Sequence, residues 1–189
     1  MKEIQKFGFK IAIIGDGGVG KTSLIKSFTQ GTFEKDYIKT IGAQFSEYHK
    51  EISGDKIRLI FWDIAGQDDF LFLRASFYKE SRAAIIVYSL EENDLGLRSF
   101  KHIINWSNDL KKHCGNIPVV LFANKVDLVN ENILNRTDIQ KIVKELKFIG
   151  YYITSAKTGQ GVTEAFNAII ENLYHKYKEL SLTPKESFK

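Results

Sequence analysis

Two hydrophobic periodicities alternate along this chain. Apolar residues at every second position, or in short continuous runs, indicate strands, whereas apolar residues three or four positions apart indicate helices. Strands are predicted at 7–15, 44–52, 56–64, 83–90, 117–124 and 150–156. Helices are predicted at 21–30, 97–113, 137–148 and 162–177. Thr137 and Thr163 are expected to cap the last two helices, because a threonine hydroxyl can accept a first-turn N–H.

The order of these segments predicts the topology. Segments 44–52 and 56–64 both alternate and are separated by a short turn, which predicts a hairpin and one antiparallel pair. The other strands are separated by helices, which requires parallel crossovers and places helices on both faces of the sheet. We therefore predict an α/β fold with a six-stranded, mostly parallel sheet, one antiparallel strand and about five flanking helices.

Composition places this pattern in one globular domain. The chain has 189 residues, 43% hydrophobic and 26% charged, and no apolar stretch approaches the roughly 20 residues that span a bilayer. The net charge of +4 is spread among acidic neighbours, so no nucleic-acid partner is expected. Cys114 is the only cysteine, which excludes an internal disulfide and favours the cytoplasm. The predicted domain is 1–178, followed by a flexible tail at 179–189.

A glycine-rich loop follows the first strand. The stretch GDGGVGKTS at 15–23 has the spacing G-x-x-x-x-G-K-[ST] between a strand and a helix. Glycines allow backbone N–H groups to surround phosphate oxygens, a lysine can reach the β- and γ-phosphates, and a threonine hydroxyl can bind Mg²⁺. The alternative is an ordinary glycine-rich turn. The predicted contacts come from Gly17, Gly18, Val19, Gly20, Lys21, Thr22 and Ser23.

Two further stretches carry chemistry suited to a γ-phosphate. In FWDIAGQ, Asp63 ends a strand where a carboxylate can hold Mg²⁺, and Gly66 offers an unobstructed N–H. Gln67 has a donor and an acceptor on one amide, so it can orient an attacking water and is the predicted catalytic residue. Thr40 lies in a polar loop, and its hydroxyl is the third predicted metal ligand, although loop threonines also serve as turn residues.

Polar side chains end another apolar strand, in VVLFANKVDL at 119–128. An amide, a cation and a carboxylate follow each other there at Asn124, Lys125 and Asp127. The stretch TSAK, ending at Lys157, follows the last strand. A buried strand that ends in an amide, a cation and a carboxylate places polar groups at its tip, where they can recognise a ligand.

In this order and spacing, GDGGVGKTS, DYIKTIG, WDIAGQ, NKVD and TSAK resemble a Ras-superfamily small GTPase with a P-loop NTPase G domain. IGAQF, RLIFWDIAGQ and FYKESRAAIIVYS are most similar to the Rab branch. The resemblance implies bound GTP or GDP with Mg²⁺, and slow hydrolysis to GDP and phosphate. It implies that Asn124 and Asp127 bind guanine and that Lys125 lies along the base. The other implied nucleotide contacts are Phe33, Tyr37, Ser155, Ala156 and Lys157; for Phe33, core packing is the alternative.

The resemblance also implies partners. No arginine lies between residues 24 and 57, and Arg74 is expected to brace its own segment. Fast hydrolysis would then need an arginine from a GTPase-activating protein. The release of GDP would need a guanine-nucleotide exchange factor. Effectors are expected at 36–48 and 66–80, where Phe45, Phe70, Phe72, Phe77 and Tyr78 would suit a partner surface or the core. A monomer that regulates vesicle traffic or signalling is expected.

Three points stay open at the level of sequence. The stretch SLTPKESFK contains no cysteine for prenylation, so peripheral membrane contact is undecided. A GTP-bound interaction module with little hydrolysis is the main alternative function. A P-loop kinase or ATPase is a third, which NKVD and SAK disfavour.

Overall fold

The computed structural model describes residues 4–33, 40, 42–66, 71–130 and 136–182. Its strands form one sheet in the order β2-β3-β1-β4-β5-β6. Their bounds are β1 (Lys6–Ile14), β2 (Ala43–Ile52), β3 (Asp55–Ile64), β4 (Ala83–Ser89), β5 (Val119–Asn124) and β6 (Gly150–Ile153). Only β2 is antiparallel to its neighbour, β3; β1 pairs in parallel with β3 and β4, and β5 with β4 and β6. The predicted fold class is confirmed.

Helices connect these strands and cover both faces of the sheet. Their bounds are α1 (Lys21–Gln30), α2 (Leu71–Tyr78), α3 (Asp94–Lys101), α4 (Ile103–Cys114), α5 (Arg136–Glu145) and α6 (Val162–Leu182), with a short 3-10 helix at Val126–Leu128. None of the helices in the described part of the chain has the length and apolar character needed to cross a membrane.

The helix predicted at 97–113 is two helices, α3 and α4, which meet at His102. An uninterrupted apolar spacing could not reveal this break. Asn93 caps α3, accepting the Gly96 N–H at 3.0 Å. Thr137 and Thr163 are each the second residue of a helix and not its N-cap, contrary to the prediction. Helix α6 continues to Leu182, so residues 179–182 are helical rather than part of the expected tail.

Alternating residues of the central strands divide the core into two layers. On β1, Phe9, Ile11 and Ile13 pack on the face covered by α1 and α6, whereas Ala12 and Ile14 face α4 and α5. Strands β4 and β5 are buried along their whole length, as their continuous apolar runs predicted. Strand β6 ends at Ile153, earlier than predicted, and the chain turns there toward α6.

The parallel strands bring the sequence motifs to one edge of the sheet. Strands β1, β3, β4, β5 and β6 all end on this edge, and Ile13 lies beside Asp63 in the β1–β3 register. The loops that follow β1, β3, β5 and β6 contain the predicted phosphate, metal and base contacts. Ligands of open α/β sheets bind at this edge.

Candidate functional site

Lys21 is folded over the loop that joins β1 to α1. Its Nζ donates to the carbonyl oxygens of Gly15 at 2.8 Å and Asp16 at 2.9 Å. Burial lowers the pKa of Lys21 to about 8, although the nearby carboxylates of Asp63 and Asp16 oppose that shift. The loop therefore holds a desolvated ammonium group, which an anionic ligand such as a phosphate would stabilise.

Two glycines permit backbone contacts between the motifs. Gly20 has φ +99°, and a Cβ there would lie 2.3 Å from the Asn124 Nδ2 atom. A Cβ on Gly66 would lie 2.3 Å from the Gly15 carbonyl oxygen and 2.5 Å from the Gly17 nitrogen. Only a residue without a side chain lets the segment after β3 approach the phosphate loop this closely.

The three predicted metal ligands form one cluster of oxygen atoms. The Thr22 hydroxyl donates to Asp63 Oδ2 and lies 3.2 Å from the Thr40 hydroxyl, which is itself 3.4 Å from the same carboxylate oxygen. Burial raises the pKa of Asp63, against the Thr22 hydrogen bond and the charge of Lys21. The other Asp63 oxygen, Oδ1, is buried and has no hydrogen-bond partner among the described residues. Two hydroxyls and an under-coordinated carboxylate fit Mg²⁺, which prefers oxygen ligands.

Asn124 connects three loops at the other end of the site. Its Nδ2 donates to the Val19 carbonyl at 2.8 Å, and its Oδ1 accepts from the Ala156 N–H at 3.1 Å and the Thr154 hydroxyl at 3.3 Å. Only 1% of the residue is exposed. The amide that the sequence assigned to guanine therefore holds the phosphate loop and the loop after β6 together. The Ala156 N–H, assigned to the guanine oxygen, donates to Asn124.

Asp127 presents a carboxylate beside the loop after β6. Ser155 Oγ donates to its Oδ1 at 2.6 Å, and Lys157 Nζ lies 3.7 Å from its Oδ2. The side chain is 12% exposed, so the carboxylate is fixed yet reachable. Lys125 pairs with Glu91 at 2.5 Å, which joins this loop to the segment after β4.

Four further residues were predicted to contact the nucleotide or the attacking water, and the structure describes two of them. Phe33 is 41% exposed, so it is not the core residue that the alternative interpretation expected. Ser23 lies in the first turn of α1 and is half-buried. Tyr37 and Gln67 lie outside the described residues.

Comparison with known proteins decides the family. The sequence model described as Ras family matches residues 10–175. The chain belongs to the Ras family. It is 34% identical to the Ras-related protein Rab-13 of Rattus norvegicus over 89% of this chain and 81% of that one. It is 32% identical to Rab-1D of Dictyostelium discoideum, over 95% and 86% of the two chains, and 36% identical to Rab-32 of Sus scrofa, over 90% and 76%.

The predicted resemblance is thus confirmed: this is a GTP-binding, Rab-like small GTPase. Within that family assignment, the structure shows what Arg74 does. Its guanidinium lies 4.2 Å from the centre of the Trp106 ring, and its Nη1 lies 3.8 Å from Asp109 Oδ2. Arg74 is buried against α4, in agreement with the prediction that it braces the segment after β3.

A row of aromatic side chains runs from an exposed residue on β2 to partly buried ones on β3 and α2. The Phe45 and Trp62 ring centres lie 6.2 Å apart, and those of Trp62 and Phe77 6.1 Å apart. Phe45 is 71% exposed, and Lys10 Nζ lies 4.0 Å from the centre of the Trp62 ring. Tyr78 is fully buried, and nothing is described of the Phe70 and Phe72 side chains.

Sequence reasoning missed two residues of the site. Asp16 occupies an unspecified position of the loop motif, yet its carboxylate is buried and accepts from Trp106 Nε1 at 2.8 Å and His102 Nδ1 at 2.8 Å. Glu91 accepts from Lys125 and from the Ser89 hydroxyl. His102 and Trp106 are four residues apart in a predicted helix and so share one face of it, which was the one available signal for the role of Asp16.

Proposed function

We propose that this Ras-family protein is a Mg²⁺-dependent GTPase that alternates between GTP and GDP states and regulates vesicle traffic or signalling. One observation carries the proposal. The oxygen cluster of Thr22, Thr40 and Asp63 and the carboxylate of Asp127 form the two ends of one site, and the hydrogen bond from Asn124 to Val19 holds the end of β5 against the phosphate loop between them. A metal-triphosphate group and a guanine base are the two parts of a single ligand that would need both ends.

The phosphate end supplies charge and position. Lys21 and the loop amides would hold the phosphates, and the helix that begins at Lys21 adds its positive dipole end. Thr22, Thr40 and Asp63 would hold Mg²⁺, which would neutralise phosphate charge when bound. Because these groups are fixed before the reaction, little reorganisation is needed when charge develops on the transferred phosphate.

The base end supplies specificity. The Asp127 carboxylate can accept together from the ring N–H and the amino group of guanine, a pair of donors that adenine lacks. Ser155 holds one carboxylate oxygen and orients the other. A site that leaves a buried polar group unpaired with the wrong ligand can discriminate by roughly 10⁴ or more. Asn124 acts by holding Ala156 and Val19 in place around the base.

The switch would lie in Thr40 and Gly66. The Thr40 hydroxyl is at the end of the oxygen cluster, and Gly66 packs on the backbone of the phosphate loop. A γ-phosphate that contacts both would order their segments, and hydrolysis would release them. Gln67, the next residue after Gly66, would orient the attacking water.

Rapid turnover would need an arginine from a partner. In the described chain Arg74 is committed to Trp106 and Asp109, and the segment before β2 contains no arginine. A GTPase-activating protein that supplies this charge could accelerate hydrolysis by roughly 10³ to 10⁵. Phe45 and Phe77 belong to the expected effector segments 36–48 and 66–80, and the Trp62 ring lies between theirs, which supports effector binding there.

Single-turnover hydrolysis tests this function. Purified protein loaded with GTP is expected to release phosphate slowly with Mg²⁺, more slowly still with EDTA, and hardly at all as Gln67→Leu. Competition with a fluorescent GDP separates the nucleotides, since GTP should displace it and ATP should not. Wild-type hydrolysis as low as that of Gln67→Leu would support the interaction module instead. Displacement of the fluorescent GDP by ATP would support a P-loop kinase or ATPase.

A further inference from the structure

The side chain of Asp16 joins the phosphate loop to the break between α3 and α4. Its Oδ1 accepts from Trp106 of α4, and its Oδ2 accepts from His102, the residue at the break. Arg98 of α3 places its Nε 3.5 Å from the same Oδ2. One carboxylate therefore takes donors from both halves of the interrupted helix. Asp16 is 6% exposed, and its bond from the buried Trp106 is shielded from water, whereas the His102 side chain is 42% exposed.

The backbone of the same residue lies at the centre of the nucleotide site. Lys21 Nζ donates to the Asp16 carbonyl at 2.9 Å. A Cβ on Gly66 would come within 2.4 Å of the Asp16 carbonyl carbon. The position of Asp16 thus affects both the phosphate-binding ammonium and the segment that carries Gln67.

A second contact supports the link between α3 and the loop. Leu95, in the first turn of α3, places its Cδ2 3.5 Å from where a Cβ on Gly18 would lie. Glu91, just before α3, pairs with Lys125 of the base-binding loop. The segment from residue 91 to Trp106 therefore meets the phosphate loop at two positions, Asp16 and Gly18, and the base loop at Lys125.

We propose that Asp16 is a positioning residue, and that its hydrogen bonds to His102 and Trp106 set how long the protein retains GDP. The proposal rests on the proposed function, since it concerns the same nucleotide site. Among the described residues, the Asp16 carboxylate contacts His102, Trp106 and Arg98 and none of the proposed metal ligands. It acts by fixing the loop backbone, and loss of its side-chain partners would loosen the amides that hold the phosphates.

A pH profile separates this role from general stabilisation. The charged and titratable groups around the Asp16 carboxylate are Arg98 from α3, His102 from the break and Lys21 from α1. A carboxylate accepts from histidine in either protonation state, because Nδ1 can carry a proton in both. In Asp16→Asn the amide nitrogen is a donor, which can pair with the Nδ1 of a neutral imidazole but not with that of an imidazolium.

The experiment measures dissociation of a fluorescent GDP, in the presence of Mg²⁺, between about pH 5.5 and 8, a range in which histidines change charge. Asp16→Ala and His102→Ala are expected to release GDP roughly fivefold or more faster than wild type at neutral pH. Asp16→Asn is expected to release at a near wild-type rate at about pH 8 and to accelerate as the pH falls. Adding His102→Ala to Asp16→Asn should abolish that acceleration.

Lys101→Ala is the matched control, because Lys101 is the exposed neighbour of His102. This variant should release GDP at the wild-type rate. Circular dichroism confirms that each variant is folded, and Asp16→Asn keeps the test available if Asp16→Ala does not fold. The proposal would be overturned if His102→Ala and Asp16→Asn both released GDP at the wild-type rate at every pH. It would also be overturned if Asp16→Asn still released GDP faster at low pH after His102→Ala was added. If the wild type itself retains no guanine nucleotide, the proposed function fails as well.

Discussion

The side-chain nitrogen of Asn124 donates to the carbonyl oxygen of Val19 at 2.8 Å, across 105 positions of sequence. The oxygen of the same amide accepts from the Ala156 N–H. One buried side chain thus fixes the phosphate loop, the strand end of β5 and the loop after β6 relative to each other. In the proposed site, this contact fixes the spacing between the phosphate and base ends.

Asn124→Ala should therefore damage both stability and nucleotide binding. The substitution leaves the Val19 carbonyl and the Ala156 N–H without their partner, and each unsatisfied buried group costs about 1–3 kcal/mol. We expect the free energy of unfolding to fall by about 2–4 kcal/mol in urea denaturation and GDP affinity to fall at least tenfold. Asn105→Ala, on the exposed side of α4, is the control. Unchanged GDP affinity in Asn124→Ala would refute the bridging role.

Gly66→Ala should disrupt the contact between the second switch segment and the phosphate loop. A methyl group there would meet three backbone atoms of residues 15–17 at 2.5 Å or less, so one segment must move. Because that contact would carry the γ-phosphate response, GTP affinity should fall more than GDP affinity in a competition assay. Gly8→Ala, in β1, is a matched control with nothing within 4 Å of the added methyl. An equal loss of GTP affinity in Gly66→Ala and Gly8→Ala would argue against a role of this contact in the γ-phosphate response.

A carboxylate far from the site controls stability at low pH. Hydrogen bonds from Lys178 Nζ at 2.6 Å, the Gln5 N–H at 3.0 Å and the Tyr174 hydroxyl at 2.9 Å hold the pKa of Asp55 at about 2. The native pKa is below the usual value of roughly 4, so the ionised form stabilises the fold above that value. This contribution is lost as the pH falls through about 2.

Urea unfolding between pH 7 and pH 2 measures this effect. Wild type should lose unfolding free energy below about pH 4, whereas Asp55→Asn should be less stable at pH 7 and approach wild type at the acid end. Tyr174→Phe keeps the carboxylate and should show a smaller loss with the same pH trend. A constant difference between wild type and Asp55→Asn across this range would exclude the carboxylate as its source.

Arg74→Ala should reduce stability without changing base preference. The guanidinium packs on Trp106 and lies 3.8 Å from Asp109, and the Asp109 carboxylate keeps its hydrogen bond from the Tyr78 hydroxyl when the guanidinium is removed. We expect a loss of about 2 kcal/mol in the free energy of unfolding, mainly from the lost contact with the Trp106 ring, with GTP still preferred over ATP. Arg82→Ala, at the exposed start of β4, serves as the control. A large fall in hydrolysis by folded Arg74→Ala would show that this arginine acts on the phosphate after all.

The sequence predicted the fold well because the two periodicities are strong. Strands β4 and β5 read as continuous apolar runs, and the β2–β3 hairpin as two alternating segments around a turn. The exceptions are boundaries set by tertiary contacts. The break at His102 coincides with its bond to Asp16, from a loop 86 positions away, which a local pattern cannot contain. Helix α6 extends past 178 because Lys178 and Ser181 bond to Gln5.

In the site too, the sequence predicts which residue types are present but not which partners they bond in the fold. The structure brings Thr22, Thr40 and Asp63 together, and their role as metal ligands stays a prediction. Asn124 is predicted to bind a ligand, which stays a prediction, and the structure adds that its amide bonds Val19 and Ala156. An amide has both donors and an acceptor, so its spacing in the motif cannot distinguish a base from a backbone. The role of Asp16 was missed because its partners lie on α3 and α4.

Base specificity tests the central claim, that this site binds a guanine nucleotide, most directly. The measurement is competition of GTP, XTP and ATP against a fluorescent guanine nucleotide on wild type, and against its xanthine analogue on Asp127→Asn. The wild type should prefer GTP. Asp127→Asn replaces an acceptor with a donor and should prefer XTP by roughly tenfold or more. An Asp127→Asn protein that binds GTP as tightly as wild type, and XTP no better, would contradict the assignment.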